Sequence, residues 1–173
     1  KKKDELVKDL FVFSCFTGLS YSDMKGLKNS NLQDFFDGNR WIIVRRKKTA
    51  TSSNVMLLDI PKMIIEKYAG LSKDGKVFPV PSNTICNDSL KRISQLIDCL
   101  VEKKVTFHLA RHTFATLFLS EGVPLESLSK MLGHKNIATT QIYAKILNEK
   151  VGKDMQKVSN KFKGLEQSFV SQL

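Results

Sequence analysis

The sequence predicts a mainly α-helical domain carrying one small antiparallel β-sheet. Three observations lead there. Apolar residues recur at three- and four-residue spacing through several stretches, most clearly at Phe107, Ala110, Phe114 and Phe118. Strand-like runs are confined to the segment between Leu32 and Leu58, where Asp37-Gly38-Asn39 supplies a tight turn. With 173 residues the chain has the size of a single domain that can bury one good core.

The first helix is predicted over Glu5 to Thr17, largely buried through Leu6, Val7, Leu10, Phe11 and the Phe13 to Phe16 run, and ended by Gly18. Ser20-Tyr21-Ser22-Asp23 follows and is close to a capping box, with Ser20 accepting from a first-turn N–H and Asp23 reaching back. Strands are expected over Leu32 to Asp37, Arg40 to Arg46 and Asn54 to Leu58, the middle one centred on Trp41, Ile42, Ile43 and Val44. Between the last two hangs RRKKTATSSN, which by charge alone is a solvated turn. Pro61 opens a helix through Tyr68, LSKDGKVFPVPSN is a connecting loop, and Thr84 to Leu100 forms the next helix. Exposed Lys91 and Arg92 on that helix are candidates for phosphate contacts.

Thr106 is a good N-cap for a helix that runs to Gly122 and sets His108, Arg111, His112 and Ala115 on a stripe apart from its apolar one. A short helix after Pro124 buries Leu125, Leu128 and Met131 and is closed by Gly133, so that His134 emerges at its end. Asn136 caps a last helix in which Ile142 and Ile146 are expected to pack inward with Tyr143 beside them. Residues 150–173 form a tail in which Val151, Met155, Val158, Phe162, Leu165 and Phe169 mark an amphipathic helix.

Composition narrows the partners. Twenty-eight Lys and Arg against seventeen Asp and Glu give a formal net charge of +11, which argues for a polyanion. Charge of this kind is shared by ribosomal proteins and says nothing of chemistry. No apolar run approaches a membrane span, so a membrane is not the expected partner. Cys15, Cys86 and Cys99 are odd in number and apolar in setting, which fits reduced thiols of a cytosolic protein, and no CxxC or HExxH spacing suggests a metal.

The chemistry is concentrated between Thr106 and Ile146. Arg111 offers a planar fork of donors to two phosphate oxygens, and His108, three residues earlier, can reach a third. HLARHTFAT followed by MLGHKNIATTQIYAKI resembles the C-terminal signature of the tyrosine recombinases, which reads HxxRHTFAT, then LLGH, then TTxxYxH. The resemblance implies the DNA breaking-rejoining fold, with residues 1–173 as one catalytic domain. It further implies a DNA-binding domain ahead of the first residue, where the chain starts KKKDELVKDLF without an initiator Met.

It also implies roles: Tyr143 attacks a phosphate of double-stranded DNA to leave a 3′-phosphotyrosine, Arg111 and His134 hold the non-bridging oxygens, and His108 assists the phenol or orients the phosphate. The family's catalytic lysine lies in the charged hairpin, where Lys48 before Thr49 fits ahead of its neighbour Lys47; Lys47, Arg46, Arg45 and Arg92 are then candidate DNA contacts. The pattern departs from the family at one place. TGLSYSDM stands where TGLRxxEL is expected, so Ser20 occupies the position of the first catalytic arginine, and Arg40, Arg45, Arg46 or Arg92 must supply the charge if the site is active. The same replacement occurs in integrases of mobile elements from Bacteroides-like bacteria.

The expectation is therefore a mobile-element integrase needing neither cofactor nor metal, monomeric when free and tetrameric in its DNA synapse, acting in the bacterial cytoplasm on the nucleoid. A type IB topoisomerase, or a DNA-binding module that lost its chemistry with the first arginine, are the alternatives. His112 is expected to serve structure only.

Overall fold

The computed structural model describes residues 2–46, 50–96, 104–146, 152 and 154–160. Helix α1 (Lys2–Thr17) is the central element. Val7, Leu10, Ser14 and Thr17 recur three or four apart, and they line its buried side together with Phe13. Helices α3 (Asp59–Lys67), α4 (Asn83–Leu96) and α5 (Phe107–Ser120) all pack on α1. Phe13 meets Phe78 edge to face at 4.8 Å between ring centres, a favoured aromatic geometry, in the middle of this larger core. The short α2 (Tyr21–Lys25) follows α1 and is N-capped by Ser20.

The sheet is antiparallel in the order β1 (Leu32–Asp34), β2 (Arg40–Arg45), β3 (Ser52–Met56). β1 is shorter than expected because Phe35 to Asn39 close the hairpin: Phe35 N–H donates to Asn39 O at 3.0 Å, and Asp37 takes the Asn39 N–H and the Trp41 indole. Along β2, Ile42 and Val44 point inward, and continuing that alternation buries Arg46 immediately past the strand. β3 begins two residues earlier than expected, since Ser52 already pairs with Arg45. Lys47, Lys48 and Thr49, and with them the expected catalytic lysine, lie outside the described residues. So do Cys99, the end of the helix expected to reach Leu100, and most of the C-terminal stripe, of which Met155 and Val158 are exposed.

A second, smaller core unites α5 with α6 (Leu125–Leu132) and α7 (Ala138–Ile146) through Phe114, Ala115, Leu119, Leu128, Leu132 and Tyr143. One expectation is reversed here. Ile142 is 48% exposed whereas Tyr143 is 4% exposed, because the side of α7 facing α5 and α6 carries Thr140 and Tyr143, three residues apart. The side chain of Ile146 is outside the description.

Candidate functional site

Two glycines let separate elements meet at the site. Gly18 ends α1 at a φ of +67°, and a Cβ there would stand 2.6 Å from the Phe114 ring. Gly133 ends α6 at +60°, and a Cβ would stand 2.5 Å from Cδ of Arg46. Any other residue would be strained at both places and would push apart the pieces they join. The end of α6 is stitched to the sheet as well, for Ser53 Oγ donates to Met131 O and Thr51 Oγ1 donates to Gly133 O.

Arg111 projects from α5 into this junction and is 7% exposed. Its guanidinium donates to Gly18 O and to Leu132 O, and stands 3.1 Å from Nε2 of His134. Arg46 arrives from the end of β2 and donates to the same Leu132 carbonyl, while its Nε holds Asp23 Oδ2 at 3.1 Å. Two guanidinium groups thus share one carbonyl oxygen, with the carboxylate of Asp23 beside them as the one acidic partner among the described residues. Burial, and then the charge of Arg46, bring Arg111 down to about 10, which leaves it protonated at neutral pH. Burial and the two arginines push His134 down to about 4, so its imidazole is neutral.

Ser20 does as its local sequence suggests. Its Oγ takes the Asp23 N–H at 3.3 Å and donates to Asp23 Oδ2 at 2.6 Å, the oxygen that Arg46 also holds. Of the four arginines expected as replacements for the missing charge, only Arg46 comes into this group. Arg40 pairs with Asp34 at the far end of the hairpin, Arg45 is exposed and donates to Ala50 O, and Arg92 on α4 is held by Asp4 at 2.6 Å. Arg46 is accordingly an interior residue at 9% exposure, whereas Arg45 and Arg92 stay at the surface.

Tyr143 lies in the small core, where α7 packs on α5. Burial raises its phenol, and the charges of Arg111 and Arg46 oppose that rise. Its ring is 5.1 Å from that of His112 at an interplanar angle of 67°. His112 Nε2 is in turn 2.7 Å from His108 Nε2, a hydrogen-bond distance between the two rings. His112, expected to serve structure, thus packs its ring on that of Tyr143 and bonds to His108. His108 and Arg111, with Ser20, Asn83, Asn87 and Thr106, line an open cleft of about 410 Å³.

Sequence reasoning overlooked Thr140, whose hydroxyl is 2.8 Å from Nδ1 of His134. Its spacing of three from Tyr143 was the available signal. Among the described residues no group of His, Cys, Asp or Glu could hold a metal ion, and no helix is long and apolar enough to cross a membrane. Cys15 and Cys86 are free thiols pushed up to about 11 by burial.

Known proteins share this arrangement of elements. Residues 3–150 match the phage integrase family. The tyrosine recombinase XerA of Saccharolobus solfataricus is 32% identical over 148 residues, which are 85% of this chain and 47% of that protein. XerA of Thermococcus onnurineus is 30% identical over 166 residues, 91% of this chain and 56% of its own length. The chain thus spans about half the length of these relatives. Among solved structures, the XerH site-specific recombinase bound to palindromic difH substrate in a post-cleavage complex superposes with a TM-score of 0.69 at 20% identity, covering 86% of this chain and 44% of the other. The Tn1549 transposon integrase with transposon right end DNA gives 0.66 at 18% identity, over 87% and 58%. At these identities the two structures speak for the fold.

Proposed function

Since this chain belongs to the phage integrase family, we propose that it cuts and rejoins double-stranded DNA at a specific site through a 3′-phosphotyrosine at Tyr143, as the recombinase of a mobile element. The observation that carries this reading is the gathering of Arg111, Arg46 and His134 beside Tyr143, with more positive charge than the lone carboxylate of Asp23 can balance. A phosphate diester undergoing attack collects negative charge on its non-bridging oxygens, and buried guanidinium groups are suited to hold it.

In the proposed step Tyr143 Oη bonds to phosphorus and the bond from phosphorus to the 5′-oxygen breaks. The phenolic proton passes toward the His112–His108 pair, and the leaving oxygen takes a proton from Lys48 or Lys47. Arg111 retains donors for this task, since its three contacts use three of five N–H groups. The 5′-hydroxyl of a partner strand then attacks the phosphotyrosine and restores the phenol, so the bond energy is conserved without a nucleotide cofactor. Because Tyr143 is covered in the free protein, α7 has to move before attack.

Arg46 is the replacement for the charge that Ser20 lacks, which supports an active enzyme over a silent DNA-binding module. The serine in place of arginine is also what suggests an origin in integrases of Bacteroides-like mobile elements. A four-protomer synapse, cytoplasmic action on the nucleoid, DNA contacts by Arg45 and Arg92, and a C-terminal tail at 150–173 belong to the same proposal.

The test uses a pool of nicked duplexes with a randomised core, in which the fragment carrying the 5′-hydroxyl diffuses away after cleavage. Wild-type chain becomes covalently attached to a 3′ end, and Tyr143→Phe does not. Retention of duplex by the wild type with no covalent product at any sequence would favour the silent binding module.

A further inference from the structure

Thr140 sits fully buried on the side of α7 that also carries Tyr143. Its hydroxyl lies 2.8 Å from Nδ1 of His134. The hydrogen-bond logic around that ring has one solution. A guanidinium has donors and no acceptor, so the 3.1 Å contact between Arg111 Nη2 and His134 Nε2 requires Nε2 to carry a lone pair. In a neutral imidazole the proton is then on Nδ1, and it is donated to Thr140 Oγ1 at 2.8 Å. The ring is neutral at physiological pH, since burial and the two arginines disfavour its charged form.

From this geometry we infer that Thr140 is a positioning residue: its hydroxyl holds His134 in the Nδ1–H form, which keeps Nε2 turned to Arg111 and fixes the guanidinium at the mouth of the cleft. The inference rests on the reading of this site as a phosphate site, and it assigns His134 in the free protein the part of an acceptor for Arg111 instead of a donor to phosphate. Free imidazole in water has no such constraint, so the Nδ1–H form has to be selected by its surroundings. Arg111 selects it from one side and Thr140 from the other. Valine at position 140 would keep the shape and volume of the side chain while leaving the Nδ1–H without a partner, an outcome that a half-buried ring avoids by moving its proton or turning away.

The chain with 15N-labelled histidine tests this by two-bond proton–nitrogen correlation spectra, which distinguish the two neutral forms of an imidazole; His134→Gln identifies the signal. Wild type and Thr140→Ser are expected to show His134 as Nδ1–H at neutral pH. Thr140→Val is expected to show a mixture and to form the covalent product about 10- to 100-fold more slowly, by analogy with loss of the hydrogen-bond partner behind a metal-binding histidine. An Nε2–H signal in the wild type would overturn the inference, as would an unchanged signal in Thr140→Val. Should Thr140→Val fail to fold, Thr140→Ser decides, because a mixture there would mean that the methyl group and not the hydroxyl matters. The spectra need no DNA, so a wild type that forms no covalent product defeats the proposed function while the assignment of Thr140 is judged separately.

Discussion

Two polar clusters in this protein handle charge in opposite ways. On the outer face of α1, Lys67 stands 2.6 Å from both Glu5 and Asp9, and Tyr68 donates to Asp9 at 2.9 Å. Every charge has a partner. Asp9, although burial works to raise it, is held below the usual carboxylate range by Lys67 and Tyr68, while burial and Asp9 push Tyr68 up to about 12. Around Gly18 and Gly133 the sum is different: two guanidinium groups share a carbonyl, one carboxylate answers them, and a histidine is driven to about 4. The first cluster joins α1 to α3 and is complete as it stands. The second holds positive charge that an anion can complete, which is what distinguishes a binding site from a brace.

The comparison breaks most visibly at Arg46. Arg46→Ala should slow formation of the covalent product by roughly 100- to 1000-fold, the cost of losing one positioned donor to a developing anion. It also removes the ion-pair partner of the buried Asp23 carboxylate, at a cost to stability of about 3–5 kcal/mol. Pairing it with Asp23→Asn should recover much of the stability and none of the rate, as read by denaturant unfolding beside the nicked-duplex assay. Lys67→Met, in the balanced cluster, should leave the rate within about threefold of wild type while lowering stability, because it removes a structural partner and nothing that meets phosphate. Equal losses of rate in the two variants would erase the distinction.

A second difference is in pH dependence. The folded state binds the His134 proton at about 4, below the ordinary value of 6.5, so between these values the unfolded chain carries more protons and stability rises with pH. The contribution is complete above pH 6.5 and is lost as the pH falls toward 4. With allowance for the ring's partial exposure, it amounts to about 2 kcal/mol. Unfolding of wild type and His134→Gln at pH 7 and pH 4.5 should show a smaller acid loss in the variant. A parallel loss in both would mean that His134 is not held neutral by its neighbours.

Ser20→Arg sharpens the account further. With Arg46 already on Asp23, an arginine at position 20 removes the helix cap, worth about 1 kcal/mol, and competes for the same carboxylate; cleavage should fall about tenfold. In an Arg46→Ala background the same substitution should restore part of the lost rate. A faster single variant would show that the site wants for a cation after all.

How much of this was legible beforehand depends on the distance along the chain. Arg111, His134 and Tyr143 fall within 33 residues and on consecutive helices, so a motif could name them together, and the helical periods placed α5 and α6 correctly. Tyr143 was nevertheless put beside the buried stripe of α7 instead of on it, because Ile142 is the more apolar neighbour and only the packing of α7 against α5 and α6 decides which side turns in. Arg46 needed a different kind of information. It reaches the site from the sheet, and among four arginines nothing local singles it out except the alternation Ile42, Val44, Arg46, which puts it inward while Arg45 faces out. That signal was present in the sequence and was passed over because the charge run read as a solvated turn. Thr140 was missed for a related reason: its significance is in which ring it touches.

The most direct measurement is the identity of the bond. Covalent product trapped from the nicked-duplex pool, digested with protease and nuclease and analysed by tandem mass spectrometry, should yield one modified peptide, with a nucleotide attached through its 3′-phosphate to Tyr143 and a 5′-hydroxyl on the released strand. A nucleotide attached to any other side chain, or joined through a 5′-phosphate, would contradict the account.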